Sequence, residues 1–131
     1  MLVSVYLPPA IKKKEADLIN EMIATNLAIQ KTKNPELFVV IGGDVNRRNI
    51  RNAVRDFPEI KKLRTGPTRG RQTLDVVYTD LPNCNVDLLN PLDTDLGTPS
   101  DHKTIFVTAK PKKKEEKKRT YYYETQPITT N

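Results

Sequence analysis

The sequence predicts an α/β (α+β) sandwich of mixed, mostly antiparallel strands with two helices. Five short β-rich runs predict the sheets, and two stretches with apolar residues at helical spacing between them predict the helices. The chain has no internal repeat. With 131 residues the chain fits one domain rather than two.

The elements follow in order. LVSVYLPP alternates apolar and small residues and is stopped by Pro8-Pro9, a short strand running into a loop. Lys12–Gln30 places Ala16, Ile19, Met22, Ile23, Leu27 and Ala28 three or four apart, an amphipathic helix with a polar outer face, broken at Asn34-Pro35. Leu37–Ile41 is a continuous apolar run of strand length, as expected of a strand covered on both faces. Gly42-Gly43 is expected to end it, leaving Asp44 and Asn46 at its exit. Asn49–Phe57 spaces Ile50, Val54 and Phe57 as a short second helix closed by Pro58. Thr65-Gly66-Pro67 makes a turn, Thr73–Tyr78 a strand containing Asp75, Asn85–Leu89 a weaker strand, Asp93–Ser100 a polar loop and Thr104–Ala109 a last strand. Residues 1–109 form the domain, and 110–131 are expected to be a basic, Tyr-containing tail or linker without fixed structure.

Composition removes several function classes. No apolar run approaches the ~20 residues of a membrane-spanning helix, and LVSVYLPP after Met1 has no basic lead as a secretory signal would. A lone Cys84 builds neither a disulfide framework nor a zinc site. An intracellular chain without a membrane partner is expected. The net charge of +6 is unevenly spread: residues 110–119 (KPKKKEEKKR) hold seven basic and two acidic residues, leaving 15 basic and 13 acidic in 1–109. Such a run is either a solvated linker or a phosphate-attracting arm or nuclear-import signal.

Four polar clusters stand at the mouths of predicted strands: Tyr6, Asp44/Asn46, Asp75 and Asp101/His102. Singly each has an ordinary explanation; an Asp after Gly is usually a turn residue or helix cap, and a lone His is usually a surface or core residue. An Asp inside a strand, as at position 75, needs a partner or a polar face. Brought together on one rim, carboxylates, an amide and an imidazole suit metal-assisted phosphoryl chemistry. A phosphodiester repels anionic nucleophiles, so a site must supply positive charge at the phosphate and a base for water. Carboxylate oxygens hold Mg²⁺ or Mn²⁺, and a carboxylate-held His stays cationic and can donate to a phosphoryl oxygen. No Walker-type Gly loop, HExxH or CxxC pattern competes.

These residues carry a resemblance. Val39–Asn46 (VVIGGDVN) resembles the GDxN signature of the endonuclease/exonuclease/phosphatase superfamily, which includes apurinic endonucleases, pancreatic deoxyribonuclease and inositol-phosphate phosphatases. Ser100-Asp101-His102 before an apolar strand resembles its closing SDH motif, Leu74–Tyr78 (LDVVY) its LD-bearing strand, and Val5–Pro9 (VYLPP) the strand whose Tyr faces the phosphate. The match runs in order across residues 3–107 and implies a sandwich of the deoxyribonuclease-like type. Pro67-Thr68-Arg69 before Leu74-Asp75, with Pro91–Pro99 before SDH, is most similar to the endonuclease domain of non-LTR retrotransposons, where a reverse transcriptase follows the nuclease.

The resemblance implies a metal-dependent phosphodiesterase, a DNA endonuclease of a retroelement, using Mg²⁺ or Mn²⁺. Asp44 would align or deprotonate the attacking water, and Asn46 would steady it or the transition-state oxygens. His102 would donate to the scissile phosphate with Asp75 holding its imidazole. Asp101 and Asp44 would lie at the metal, Tyr6 would contact the phosphate, and Arg69 or Arg71 the nucleic-acid backbone. The chain also departs from the pattern. The family places an Asn and a metal-ligating Glu well upstream of the Tyr strand, whereas five residues precede Tyr6 here and Glu15, Glu21, Glu36 and Glu59 match no motif. It therefore resembles the C-terminal portion of the fold, with impaired activity expected. The alternatives are a non-catalytic nucleic-acid-binding remnant or a phosphatase of the same superfamily.

Overall fold

A computed structural model of the chain describes residues 1–91 and 100–110. It is a small α+β domain with mixed sheets and one α-helix. Four strands, β1 (Leu2–Tyr6), β2 (Val40–Asp44), β3 (Lys61–Lys62) and β4 (Asp75–Thr79), form a sheet in the order β1-β2-β4-β3. The β1–β2 pair is parallel, and β4 runs antiparallel to both of its neighbours. A hairpin of β5 (Cys84–Leu89) and β6 (Thr104–Ala109) forms a second, two-stranded sheet.

The parallel β1–β2 pair requires a crossover, and the 21-residue helix α1 (Lys13–Lys33) supplies it. Ile23 and Leu27, one turn apart on α1, are buried and pack with Val5, Ile41, Val76 and Tyr78, which alternate along one face of the sheet. The fully buried Leu7, Val39, Val45 and Ile50 complete this core from the loops. The opposite face is closed over β4, where Val77 and Thr79 are buried, and open over β1, where Leu2 is 80% and Tyr6 62% exposed. Lys31 joins the last turn of α1 to the end of β4 through a 2.6 Å contact to Asp80, whose other oxygen accepts the Val39 N–H. The Asp80 carboxylate raises the pKa of Lys31, overcoming the opposing effect of burial.

Four expectations are corrected. The second helix is absent: Asn49–Phe57 contains only a 3-10 turn at Arg51–Ala53. Its apolar spacing does report burial, since Ile50, Ala53 and Val54 all lie in the core. What stops a helix is Asn20 on α1. Its Oδ1 accepts the Ala53 N–H at 3.0 Å and its Nδ2 donates to the Asn49 carbonyl at 3.3 Å, so it takes both ends of the bond a helix would close from 53 to 49. Second, Gly42-Gly43 does not end β2 but lies within it; the strand begins at Val40, after Val39 has given its N–H to Asp80. A Cβ on Gly43 would lie 1.8 Å from the Val5 carbonyl oxygen, so only glycine lets β1 approach. Third, the apolar run is not covered on both faces, because Phe38 is 52% exposed. On α1, Met22 and Ala28 also lie outside the buried face that the spacing suggested.

Strands β1, β5 and β6 fall where expected to within a residue, β4 begins two residues later, and the two-residue β3 was not foreseen. Most of the expected loop at 93–100 and all but the first residue of the tail at 110–131 lie outside the described residues. Among the described residues, no helix is long and apolar enough to cross a membrane.

Candidate active site

Strand register builds the site. Tyr6 pairs with Asp44 and Asp44 pairs with Asp75, so three of the singled-out residues form one row across β1, β2 and β4. Paired residues on neighbouring strands share a face, which sends these side chains to the side of the sheet away from α1. His102 enters from the segment before β6, where its N–H is bonded to Ser100 Oγ at 3.1 Å.

The imidazole is the hub. Its Nδ1 lies 2.6 Å from Asp75 Oδ2, and its Nε2 faces Asp44 Oδ2 at 3.8 Å and Asp101 Oδ1 at 3.7 Å. Asp75 is acceptor-only when ionised, so Nδ1 carries the proton. The hydrogen bond to Asp75 raises the pKa of His102; burial opposes it, and the charges of Asp75, Asp44 and Asp101 reinforce it. The two Nε2 contacts exceed hydrogen-bond length and leave that nitrogen facing the open side of the site.

Asp44 and Asn46 are held by a tight local turn. Asp44 Oδ1 accepts the Asn46 N–H at 2.9 Å, and Asn46 has a positive φ of 50°, which Asn tolerates better than most residues. Asn46 Nδ2 donates to the Leu7 carbonyl at 2.6 Å, tying the end of β1 to the loop after β2. Tyr6 shares the row, but its 62% exposed ring makes no hydrogen bond to the cluster. Arg69 Nε contacts Asp101 Oδ2 at 2.8 Å, a pair with both side chains more than half exposed. Arg71 lies past Gly70 in the turn that the Arg69–Gln72 bridge closes, exposed and away from the imidazole contacts.

Asp44, Asp75 and His102 each place a potential ligand atom within 4.8 Å of the others. As a set they suit a metal poorly, because Asp75 and Nδ1 already bond each other and a cationic imidazole repels an ion. Asp101, expected with Asp44 at the metal, is not in this group; its Oδ1 lies toward His102 Nε2 and its Oδ2 contacts the Arg69 guanidinium.

The sequence reading missed Arg47 and Gln72. Both line a cleft of about 300 Å³ with Pro9, Asn46, Arg69 and Leu74. Its position beside Asn46 could have marked Arg47; nothing in the sequence marks Gln72. Thr68, quoted above only as part of a motif, is buried directly behind Asp75. No family model, curated protein or solved structure matches this chain.

Proposed function

We propose that the chain belongs to the endonuclease/exonuclease/phosphatase superfamily, with a sandwich of the deoxyribonuclease-like type. It acts as a Mg²⁺- or Mn²⁺-dependent phosphodiesterase on DNA, most similar to retroelement endonucleases. One observation carries this reading: an imidazole bonded to Asp75 on one nitrogen and facing Asp44 and Asp101 with the other. A charged donor beside a second carboxylate is what phosphodiester hydrolysis needs, one group for the phosphoryl oxygen and one for water.

Asp75 keeps His102 protonated and fixes its ring plane. Nε2–H then donates to a non-bridging phosphate oxygen, whose charge grows as water adds; the P–O bond to the sugar oxygen opposite the water breaks, and that oxygen departs and takes its proton from solvent. Asp44, held by the Asn46 N–H, is placed to orient that water and take its proton. A divalent ion held by Asp44 and Asp101 would supply Lewis-acid neutralisation of the phosphate. Arg47 and Arg69 in the cleft beside Asn46 suit the flanking backbone phosphates.

The test is nicking of supercoiled plasmid by the purified chain in Mg²⁺, in Mn²⁺ and in EDTA, with Asp44→Ala as control. Metal-dependent nicking that the substitution lowers at least ~100-fold supports the proposal. Binding of the plasmid without cutting under any condition favours the nucleic-acid-binding remnant instead. The engagement of Asp101 by Arg69 favours that second reading, since it removes one oxygen from the ion.

A further inference from the structure

Thr68 is fully buried, and each of its polar groups is engaged. Its Oγ1 accepts the backbone N–H of Leu74 at 3.0 Å and of Asp75 at 3.1 Å. Its N–H donates to the Gln72 carbonyl at 2.9 Å, and its carbonyl accepts the Lys103 N–H at 2.7 Å. Asp75 and Lys103 lie on or beside the two members of the catalytic pair. With the 2.6 Å bond from His102 to Asp75, these contacts close a ring: Thr68 to Asp75, Asp75 to His102, then through Lys103 back to Thr68. Among the described residues, the Lys103–Thr68 bond is the one backbone hydrogen bond that ties the 100–103 segment to the loop before β4.

We infer that Thr68 is a positioning residue that sets the distance and ring plane between Asp75 and His102; the inference rests on the phosphodiesterase reading of the same site. It is not a catalytic residue, because its fully buried side chain faces the backbone and not the imidazole. Its hydroxyl is the element that matters. Oγ1 anchors the start of β4 and thereby the Asp75 carboxylate, while the carbonyl of the same residue sets how deep His102 sits. A shift of either arm lengthens the Nδ1–Oδ2 bond, and misplacement of this order costs catalysis heavily even when the fold persists. A Thr that merely satisfied a turn would need only its bonds to Gln72 and Leu74.

Thr68→Val removes the hydroxyl at nearly constant shape and Thr68→Ser keeps it. Two readouts are taken on the full chain. The first is the downfield Nδ1–H proton signal of imidazole-¹⁵N-labelled protein, unambiguous because His102 is the sole histidine. The second is plasmid nicking, resolved into kcat and KM. For folded Thr68→Val the expected result is loss of the downfield signal and a kcat reduced roughly 10–100-fold with KM little changed. Thr68→Ser is expected to retain both. A folded Thr68→Val that keeps the downfield signal overturns the inference. If Thr68→Val does not fold, amide exchange in the unchanged chain decides. The inference requires the Leu74, Asp75 and Lys103 amides to be protected alike, and a Lys103 amide exchanging as fast as an unbonded one overturns it. Should the unchanged chain cut nothing with either metal, the phosphodiesterase proposal falls, while the imidazole signal still decides whether Thr68 positions the pair.

Discussion

His102 holds its proton further up the pH scale than a free imidazole, because Asp75 accepts from Nδ1 at 2.6 Å in a part-buried setting. A folded-state pKa raised above the unfolded value near 6.5 means that the folded state binds the proton more tightly. The stabilisation from that charge is therefore complete below about pH 6.5 and is lost as pH rises through the folded value. Replacing the imidazole by an amide removes it. The difference in urea midpoint between the unchanged chain and His102→Gln is expected to be largest below about pH 6.5 and to narrow as pH rises through the raised folded value. A difference that widened with pH would mean that the imidazole is held neutral, contrary to the role proposed for it. At this scale the site was legible because each chemical residue stood in a short motif next to a strand. The residues that position them were not. Asn20 reads as one polar residue in a helix and Thr68 as one in a turn, and only tertiary contacts give them partners.

At the scale of elements, the 3.6-residue period found α1, and strand composition found β1, β4, β5 and β6. The same period failed at Asn49–Phe57, where a side chain of another element competes for the local backbone bond. Local propensity also misjudged Gly42-Gly43, treating as terminators two residues that lie inside an inner strand, where Gly43 lets β1 approach closely. Both corrections make predictions. Gly43→Ala drives a Cβ into the Val5 carbonyl and must part β1 from β2, so a loss of about 3–5 kcal/mol in denaturant unfolding is expected. Gly66→Ala meets no atom within 4 Å, so it reports the backbone cost of a positive φ alone and is expected to cost clearly less. Asn20→Leu keeps the shape but leaves the Asn49 carbonyl without its side-chain partner and the Ala53 N–H with only its 3-10 bond. A loss of about 1–3 kcal/mol is expected. A neutral Asn20→Leu would show that the segment had taken up the helical bond instead, and helical content by circular dichroism would then rise.

For the whole molecule, the distribution of charge separates holding a polyanion from cutting it. Most of the net charge of +6 belongs to residues 110–119, while the body holding the row of Tyr6, Asp44 and Asp75 is close to balance. Nonspecific affinity for duplex DNA comes from counterion release and scales with the cations placed near phosphates, about 0.9 in the log–log salt slope for each. Changing Lys112, Lys113, Lys114, Lys117 and Lys118 to Gln removes five such cations from the run. The salt slope of duplex binding is therefore expected to fall by up to about 4.5, with affinity dropping most at low salt. Nicking at saturating enzyme should change little, since none of these residues belongs to the row proposed to carry the chemistry. Asp75→Asn is expected to do the reverse, leaving the slope intact while nicking is lost. The measurement is fluorescence anisotropy of a labelled duplex across a salt series, run beside the plasmid assay. An unchanged slope in the five-lysine variant would make the run a solvated linker and assign DNA binding to the body, where Arg47 and Arg69 line the cleft beside Asn46. A tail variant that bound as before but no longer nicked would overturn the separation itself, by giving the basic run a part in the chemistry.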